Sequence, residues 1–410
     1  MTSKSHFDAI VVGSGVSGGW AAKELTEKGL KVLVLERGRM VEHVKDYKTE
    51  HKPTWEFPLR TKVPQGLYDR DYEVHKNLYI FNEASRHFFN NDRENPYEYE
   101  PGGFLWFRGG VVGGRSLTWG KQTYRFSEED FEANKKEGVA IDWPIRYQDL
   151  APWYSYVEKF IGVSGEALNL PQLPDSEFLP PMEMTVVEKA LKKEVERRYP
   201  ERNVTIGRCA VLTKPHNGRA PCHYCGPCER GCSSGAYFSS QSSTLPAAQK
   251  TGNLTLKSDC VVASVEYDPN TKRASAVNVV DTKTKARKQY YAKVIFLCGS
   301  TVGSTQILMN SRSEHFPNGL GNRSGVLGHY LMDHKLSMGA RGVIPGYENF
   351  APYGNRPNGI YIPRFRNLNG QDDDANFSRG YGFQGYSGRA NWQELAKQTS
   401  GFGEDFKKTV

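Results

Sequence analysis

Phe7-Asp8-Ala9-Ile10-Val11-Val12-Gly13-Ser14-Gly15-Val16-Ser17-Gly18 decides how the rest of the chain is read. The first six residues form a short apolar run with β-branched content, the pattern of a strand buried on both faces of a parallel sheet. It runs directly into three glycines spaced G-x-G-x-x-G. Helical spacing of Ala21, Ala22 and Leu25 follows across Gly19 to Lys28, and Gly29 stops it. A second strand, Lys31 to Leu35, ends in Glu36. Each glycine has its own task in such a unit. Gly13 permits the tight turn, Gly15 lets the backbone approach a pyrophosphate, and Gly18 lets helix and strand pack closely. Ser14, Val16 and Ser17 fill the positions between, at a helix N-terminus whose exposed N–H groups and dipole favour negative charge. Glu36 can accept hydrogen bonds from the ribose hydroxyls of an adenosine, and its charge argues against a 2′-phosphate. The unit therefore reads as the start of an α/β, Rossmann-like dinucleotide-binding domain. FAD and NAD both satisfy it; the N-terminal placement and the Glu36-Arg37-Gly38 ending favour FAD by fold-level analogy.

The chain has 410 residues, 54 Lys and Arg against 46 Asp and Glu, for a net charge of +8. That length admits two or three domains. An apolar content of 38% with 12% aromatics supports a sizeable core and excludes wholesale disorder. The basic residues are dispersed without long runs, so the charge describes a solvated surface and no nucleic-acid partner. Apolar stretches are of strand length, far short of the roughly 20 residues of a membrane-crossing helix. Met1 to His6 is polar and carries no secretory signal, so a cytoplasmic location is expected.

A second glycine cluster lies beyond an aromatic, charged insertion at about 40–100 that reads as irregular loops packed on the surface, or alternatively as a lid. Arg108-Gly109-Gly110-Val111-Val112-Gly113-Gly114-Arg115-Ser116-Leu117-Thr118-Trp119-Gly120 has five glycines in its body and suits backbone passing close to a flat ligand or its phosphates. Here the sequence resembles the glucose–methanol–choline (GMC) family of FAD-dependent oxidoreductases. The match is carried by Arg108-Gly109 and by Gly113-Gly114 followed by Ser116, where the family's loop contacts the FAD diphosphate and flavin. Trp119 stands where that family usually has Asn, a departure that resembles its gluconate and sugar dehydrogenase branch. Asn253 to Leu256 with Val261-Val262 resembles the strand pair in which a valine backbone, here Val262, reads the adenine. Val294 to Gly299 with Gly303 to Leu308 resembles the late strand-to-helix unit, although Thr305 replaces a usual Pro. Gly321 to Gly325 with Gly328 to His334 resembles the next block, and His334 reads as a packed structural histidine.

The resemblance implies FAD held by Gly13, Ser14, Gly15, Val16, Ser17, Gly18, Glu36, Arg37, Arg108, Gly109, Gly113, Gly114, Ser116, Trp119, Val262 and Gly299. It implies oxidation of a CH–OH group of an alcohol, polyol or sugar by hydride transfer to flavin, with an electron-acceptor protein or small subunit as a partner. The family's base is a His on a C-terminal segment. No histidine follows His334, so the chain is expected to be C-terminally truncated, poorly soluble alone, and without an assignable catalytic residue. The expected domains are 1–334, binding FAD, with the insertion and a Cys-rich loop at 209–235, and 335–410, part of a substrate-binding sheet. Gly359 to Phe365 reads as one strand of that sheet, and the run Gln371 to Gly380 as a solvated acidic loop.

Cys222, Cys225, Cys228 and Cys232 have the spacing C-x2-C-x2-C-x3-C. Such a run matches a ferredoxin-type iron–sulfur segment, or four thiolates on a structural zinc. It equally suits inert thiols shaping a tight loop ahead of Gly235-Ala236. Two further functions stay open at this point: a flavin-binding electron-transfer subunit without substrate chemistry, and an NAD-linked reductase. A covalent flavin link through His75 or His87 of the insertion is a further open reading.

Overall fold

The computed structural model describes residues 6–100, 104–333, 338–347, 349–351, 353–368, 377, 379–389 and 399–409. In chain order the elements used below are β1 (His6–Val12), α1 (Val16–Glu27), β2 (Val32–Leu35), α2 (Gln65–Asp71), α3 (Glu128–Glu137), α4 (Tyr147–Ile161) and α5 (Val186–Arg198). They continue with β3 (Thr205–Ile206), α6 (Thr244–Lys250), β4 (Leu254–Lys257), β5 (Cys260–Asp268), β6 (Arg273–Asp281) and β7 (Arg287–Leu297). The last are α7 (Thr301–Asn310), β8 (Ile360–Ile362) and β9 (Phe383–Gly385). The chain forms two compact units, one of residues 1–120, 218–221 and 227–338, the other of 121–217, 222–226 and 339–410.

The first unit is built on a sheet in the order β4-β2-β1-β7-β6-β5. Strands β4, β2, β1 and β7 run parallel, and β6 and β5 continue as an antiparallel meander. One strand joins the two halves. The first half of β7 pairs with β6, and its second half pairs with β1 from His6↔Tyr291 to Val12↔Leu297. Alternation along the strands sorts the core. Ala9, Val11, Val32 and Val34 pack with Ala22 of α1 and Ala248 of α6. Ile10, Val12, Leu33 and Leu35 face the other way, with Val262, Val265, Val277 and Val279. Both faces of β1 and β2 are thus covered, as the uninterrupted apolar runs require.

The insertion has a core of its own. Val41, Tyr47, Val63, Tyr72, Phe81, Phe88 and Phe89 are buried together with Val111 and Leu117 of the second glycine segment. It is irregular, as the prolines dictate, yet its aromatics make it part of the packed unit. In the second unit, β3, β8 and β9 form a small antiparallel sheet, with Thr205↔Tyr361 and Tyr361↔Gln384 in register. This pairing joins 121–217 to 339–410 within one unit. The strand read at Gly359 to Phe365 is β8. His334 and most of the acidic run Gln371 to Gly380 lie outside the described residues. Among the described residues, no helix is long and apolar enough to cross a membrane.

Candidate functional site

The two glycine clusters meet at the carboxyl ends of β1 and β7, within the first unit. Gly13 has φ +96°, and a Cβ there would sit 2.5 Å from the Cys298 carbonyl oxygen. A Cβ on Gly18 would lie 1.9 Å from the Gly13 carbonyl. Both glycines are therefore demanded by the protein's own backbone. Gly15 is different: a Cβ there meets nothing within 4 Å. Among the described residues, no atom comes within 4 Å of that position in front of Gly15.

The helix behind that space is left open as well. Gly15 is the N-cap of α1, with no side-chain cap and no acidic residue in the first turn. By contrast α3 and α5 begin with capping boxes, Ser127 with Asp130 and Thr185 with Glu188, and both have acids in the first turn. Exposed Val16 and Ser17 flank the uncapped N–H groups of α1. An uncapped, uncompensated N-terminus is a ready anion site. The donor set and the space in front of Gly15 thus fit the diphosphate of a dinucleotide.

Glu36 ends β2 at the same level, buried. One carboxylate oxygen accepts from the Ser14 N–H (2.9 Å) and hydroxyl (2.6 Å), and the other from the Gly38 N–H (2.8 Å). The carboxylate therefore ties the first glycine turn to the exit of β2, and its acceptor capacity toward a ribose is what those three donors leave over. Gly38 has its own reason to be glycine, since its Cβ would lie 2.3 Å from the backbone of Gly110 and Val111. Arg37 is exposed and donates to the Asn95 side-chain carbonyl (3.0 Å).

The second cluster is hung on the first. The Gly113 N–H donates to the Ser14 hydroxyl (2.9 Å). Gly113 (φ +93°) and Gly114 (φ +51°) turn the chain so that a Cβ on Gly114 would come 3.6 Å from the Gly15 Cα. A Cβ on Gly109 would lie 3.0 Å from the Gly114 carbonyl carbon. Ser116 donates to the Gly113 carbonyl (2.6 Å) and accepts from the Ser240 N–H (3.0 Å), and the Ser240 hydroxyl reaches the Gly15 carbonyl (2.9 Å). The Gln241 amide donates to the carbonyls of Val41 and Val112. Ser240 and Gln241 were not legible in the sequence, where Ser239-Ser240-Gln241-Ser242-Ser243 has the composition of a solvated loop. All five are buried. Such a polar run stays buried where its groups are bonded: Ser240 to Ser116 and Gly15, Gln241 to Val41 and Val112, Ser239 to Ser242, and Ser242 to the Tyr237 carbonyl.

Trp119 is committed to the protein. Its indole N–H donates to the Phe238 carbonyl (3.0 Å), its backbone N–H to the Tyr237 hydroxyl (2.9 Å), and that hydroxyl donates back to the Trp119 carbonyl (3.0 Å). Burial holds the Tyr237 phenol well above its ordinary range, so it stays a neutral donor. Arg108 sits in a buried network with Asp92 (3.1 Å) and the Asn95 carbonyl (2.5 Å), stacked on Tyr97 and Trp106. Burial pulls the Asp92 carboxyl up, but hydrogen bonds from His75 and the backbone outweigh it and hold the group below its usual range. Val262 keeps its side chain in the core and pairs with Val279, leaving only its backbone for a ligand. Gly299 precedes the N-cap of α7.

His75 is fully buried, with Nδ1 donating to Asp92 (2.9 Å) and Nε2 accepting from the Arg108 N–H (3.0 Å). Both ring nitrogens are engaged, so His75 is a structural residue and not a flavin attachment point. The ring of His87 packs on Phe88, and burial, then the charges of Arg39 and Arg86, push its pKa down to about 4.

Among the described residues, no three His, Cys, Asp or Glu side chains stand where they could share a metal ion. The Cys222 sulfur accepts from the Tyr224 N–H (3.4 Å), and Cys232 meets the Ser234 hydroxyl (3.3 Å). These are local turn contacts, and nothing here supports the iron–sulfur reading.

Comparison with known proteins agrees with this geometry. A 2-methyl-1,2-propanediol dehydrogenase of Mycolicibacterium austroafricanum is 26% identical over 93% of this chain and 64% of its own length. The fructose dehydrogenase large subunit of Gluconobacter japonicus is 23% identical over 80% of this chain and 58% of its own. The gluconate 2-dehydrogenase flavoprotein of Pantoea cypripedii is 26% identical over 67% and 47%. The chain thus spans about half to two thirds of the length of these curated relatives. The sequence model of the family described as GMC oxidoreductase matches residues 7–336, a stretch that holds both glycine clusters, Glu36, Val262 and the β7–α7 turn. On that match and the site it encloses, the chain belongs to the GMC oxidoreductase family.

Proposed function

We propose that this chain is the FAD-binding part of an oxidoreductase acting on the CH–OH group of an alcohol, polyol or sugar. The observation that carries the reading is the open space at Gly15, which stands before the uncapped start of α1 and beside Gly114. When bound, FAD would supply the acceptor for a hydride from the alcohol carbon. The chain's own residues do the holding. The N–H groups at Gly15 to Ser17 bind the diphosphate, and the remaining acceptor capacity of Glu36 takes a ribose hydroxyl. Ser14, Gly113, Ser116 and Ser240 fix the two loops against each other, so the backbone needs no rearrangement when the ligand arrives. Trp119, locked by Tyr237 and Phe238, presents a fixed ring beside the second loop. We read 335–410 with the sheet of β3, β8 and β9 as part of the substrate-covering domain, and a separate electron-acceptor protein as partner. The relatives named above, acting by name on a diol, fructose and gluconate, support that substrate class.

The test is the visible spectrum of the purified chain equilibrated with FAD and passed over a desalting column. Retained flavin absorption that bleaches on addition of a polyol or sugar is the expected result. Failure of any FAD to remain bound, with NADH binding in its stead, would overturn the reading.

A further inference from the structure

A cleft of about 290 Å3 opens in the first unit, bounded by the end of β4, by Met40 and by the meander of β5, β6 and β7. None of the residues to which the dinucleotide is assigned lines it. Strand register explains its walls. Across the meander Cys260 faces Asp281, Val279 faces Lys288 and Val277 faces Tyr290, so these side chains share the sheet face that carries the core of Val262, Val277 and Val279. Beyond Val279 that face turns from apolar to charged, and Met40, Leu256 and Ala286 extend its apolar floor.

Over this floor stand donors without acceptors. Lys257 and Lys288 line the cleft, and both cations act on the Cys260 thiol within it. The Tyr290 phenol lines it as well, and burial raises its hold on its proton. Among the described residues, no hydrogen bond or ion pair engages either ammonium or this hydroxyl. Three other lysines of the meander are engaged: Lys283 with Asp259 (3.0 Å), Lys285 with the Thr282 carbonyl (2.7 Å) and Lys293 with Asp8 (2.7 Å). Asp281, the acid of the wall, gives one oxygen to the N–H groups of Lys283 (3.0 Å) and Thr284 (2.8 Å) in the hairpin turn. The wall therefore sets two unpaired cations and a phenol against one carboxylate already committed to its turn.

We infer that this cleft is a second ligand site, taking a small organic carboxylate whose apolar body lies on Met40, Leu256, Val279 and Ala286 and whose charged end meets Lys257, Lys288 and the Tyr290 hydroxyl. The volume, at the lower end of small-molecule sites, sets the size of the ligand. A lysine offers donors only, so its partner must bring acceptors, and an ionised acceptor makes the stronger bond. An inorganic anion would leave the floor bare, and a neutral molecule would leave both cations unpaired. The inference stands independently of the cofactor reading.

Cys260, half-buried in the cleft, reports occupancy. The experiment follows its alkylation by N-ethylmaleimide, read by peptide mass spectrometry with the remaining cysteines as internal references, against rising benzoate, benzamide, acetate or inorganic phosphate. Benzoate is expected to slow Cys260 alkylation saturably and to leave the reference cysteines unchanged. Benzamide and acetate should protect several-fold more weakly, the first for lack of charge and the second for lack of an apolar body. Both lysines are exposed, so the double variant Lys257→Gln/Lys288→Gln keeps the fold. It should need about 2- to 30-fold more benzoate for half protection, the range for two solvent-exposed charge pairs. No saturable protection by benzoate up to its solubility limit, or protection unchanged in the double variant, overturns the assignment. Benzamide matching benzoate would show a cleft indifferent to charge, and phosphate matching it a patch of surface cations; either result overturns it too.

Discussion

Gly15 and Gly18 lie three residues apart in one motif, and the structure gives them opposite kinds of necessity. Replacing Gly18 by Ala puts a methyl 1.9 Å from the Gly13 carbonyl oxygen, so α1 and the glycine turn must separate. Overpacking against backbone costs about 3 kcal/mol at the upper end, and the gain in helix propensity returns about 1, leaving about 2. Replacing Gly15 by Ala meets no atom within 4 Å, and φ −65° at that residue suits any L-amino acid. Loss of a good N-cap residue costs up to about 1 kcal/mol, and reduced freedom of the unfolded chain offsets about 0.4–1 of it. Ligand-free Gly15→Ala should therefore unfold in urea within about 0.5 kcal/mol of the unsubstituted protein. Its methyl nevertheless occupies the approach to the diphosphate. Displacing one charge-assisted hydrogen bond, about 1.5–3 kcal/mol, weakens FAD binding about 10- to 100-fold. Urea denaturation of the flavin-free proteins and titration with FAD measure the two quantities separately. The reasoning fails if Gly15→Ala destabilises the flavin-free protein as much as Gly18→Ala does, or if it binds FAD as tightly as the original chain.

Glu36→Gln should cost about 1–3 kcal/mol of flavin-free stability, because Ser14 and Gly38 donate to opposite oxygens and one side would then face an NH2 group; unchanged urea unfolding would refute it. His87 gives a pH dependence of definite sign. Its folded pKa of about 4 lies below the usual 6.5, so between those values the unfolded chain takes a proton that the fold refuses. Stability from this group is complete above about pH 6.5 and falls as the solution is acidified toward pH 4, by up to about 3 kcal/mol. His87→Leu should flatten that slope relative to the parent, and parallel slopes for the two proteins would contradict the assignment.

Local patterns were readable where chain geometry is set by near neighbours. The expected strand at Phe7 to Val12 and the second strand are found within one residue, because both are apolar runs bounded by turn residues. The helix was expected from Gly19 but begins at Val16, since the motif's own residues form its first turn. Long-range pairings left weaker traces. The first half of β7, Arg287 to Tyr291, is charged and aromatic, and it is a strand only because β6 lies beside it. The insertion showed no periodicity, yet it is ordered by ring-to-ring packing such as Phe81 with Tyr72 and Phe89. Glu36 was read as a ligand group; its three internal donors come from residues 14 and 38, contacts that depend on the turn being closed.

The double allegiance of β7 has a consequence for how the protein is made. Lys293 bonds to Asp8 across 285 residues of sequence, and β1 cannot gain its neighbour on that side until β7 has been synthesised. At about 5–20 residues per second, roughly 15 to 60 seconds separate the two strands on the ribosome. During that interval the opening apolar strand and its glycine turn have β2 beside them but neither β7 nor the Cys298 carbonyl against which Gly13 closes. The nascent chain thus carries an adhesive edge through that interval, and a site whose geometry depends on β7 becomes competent for its ligand only after β7 has emerged.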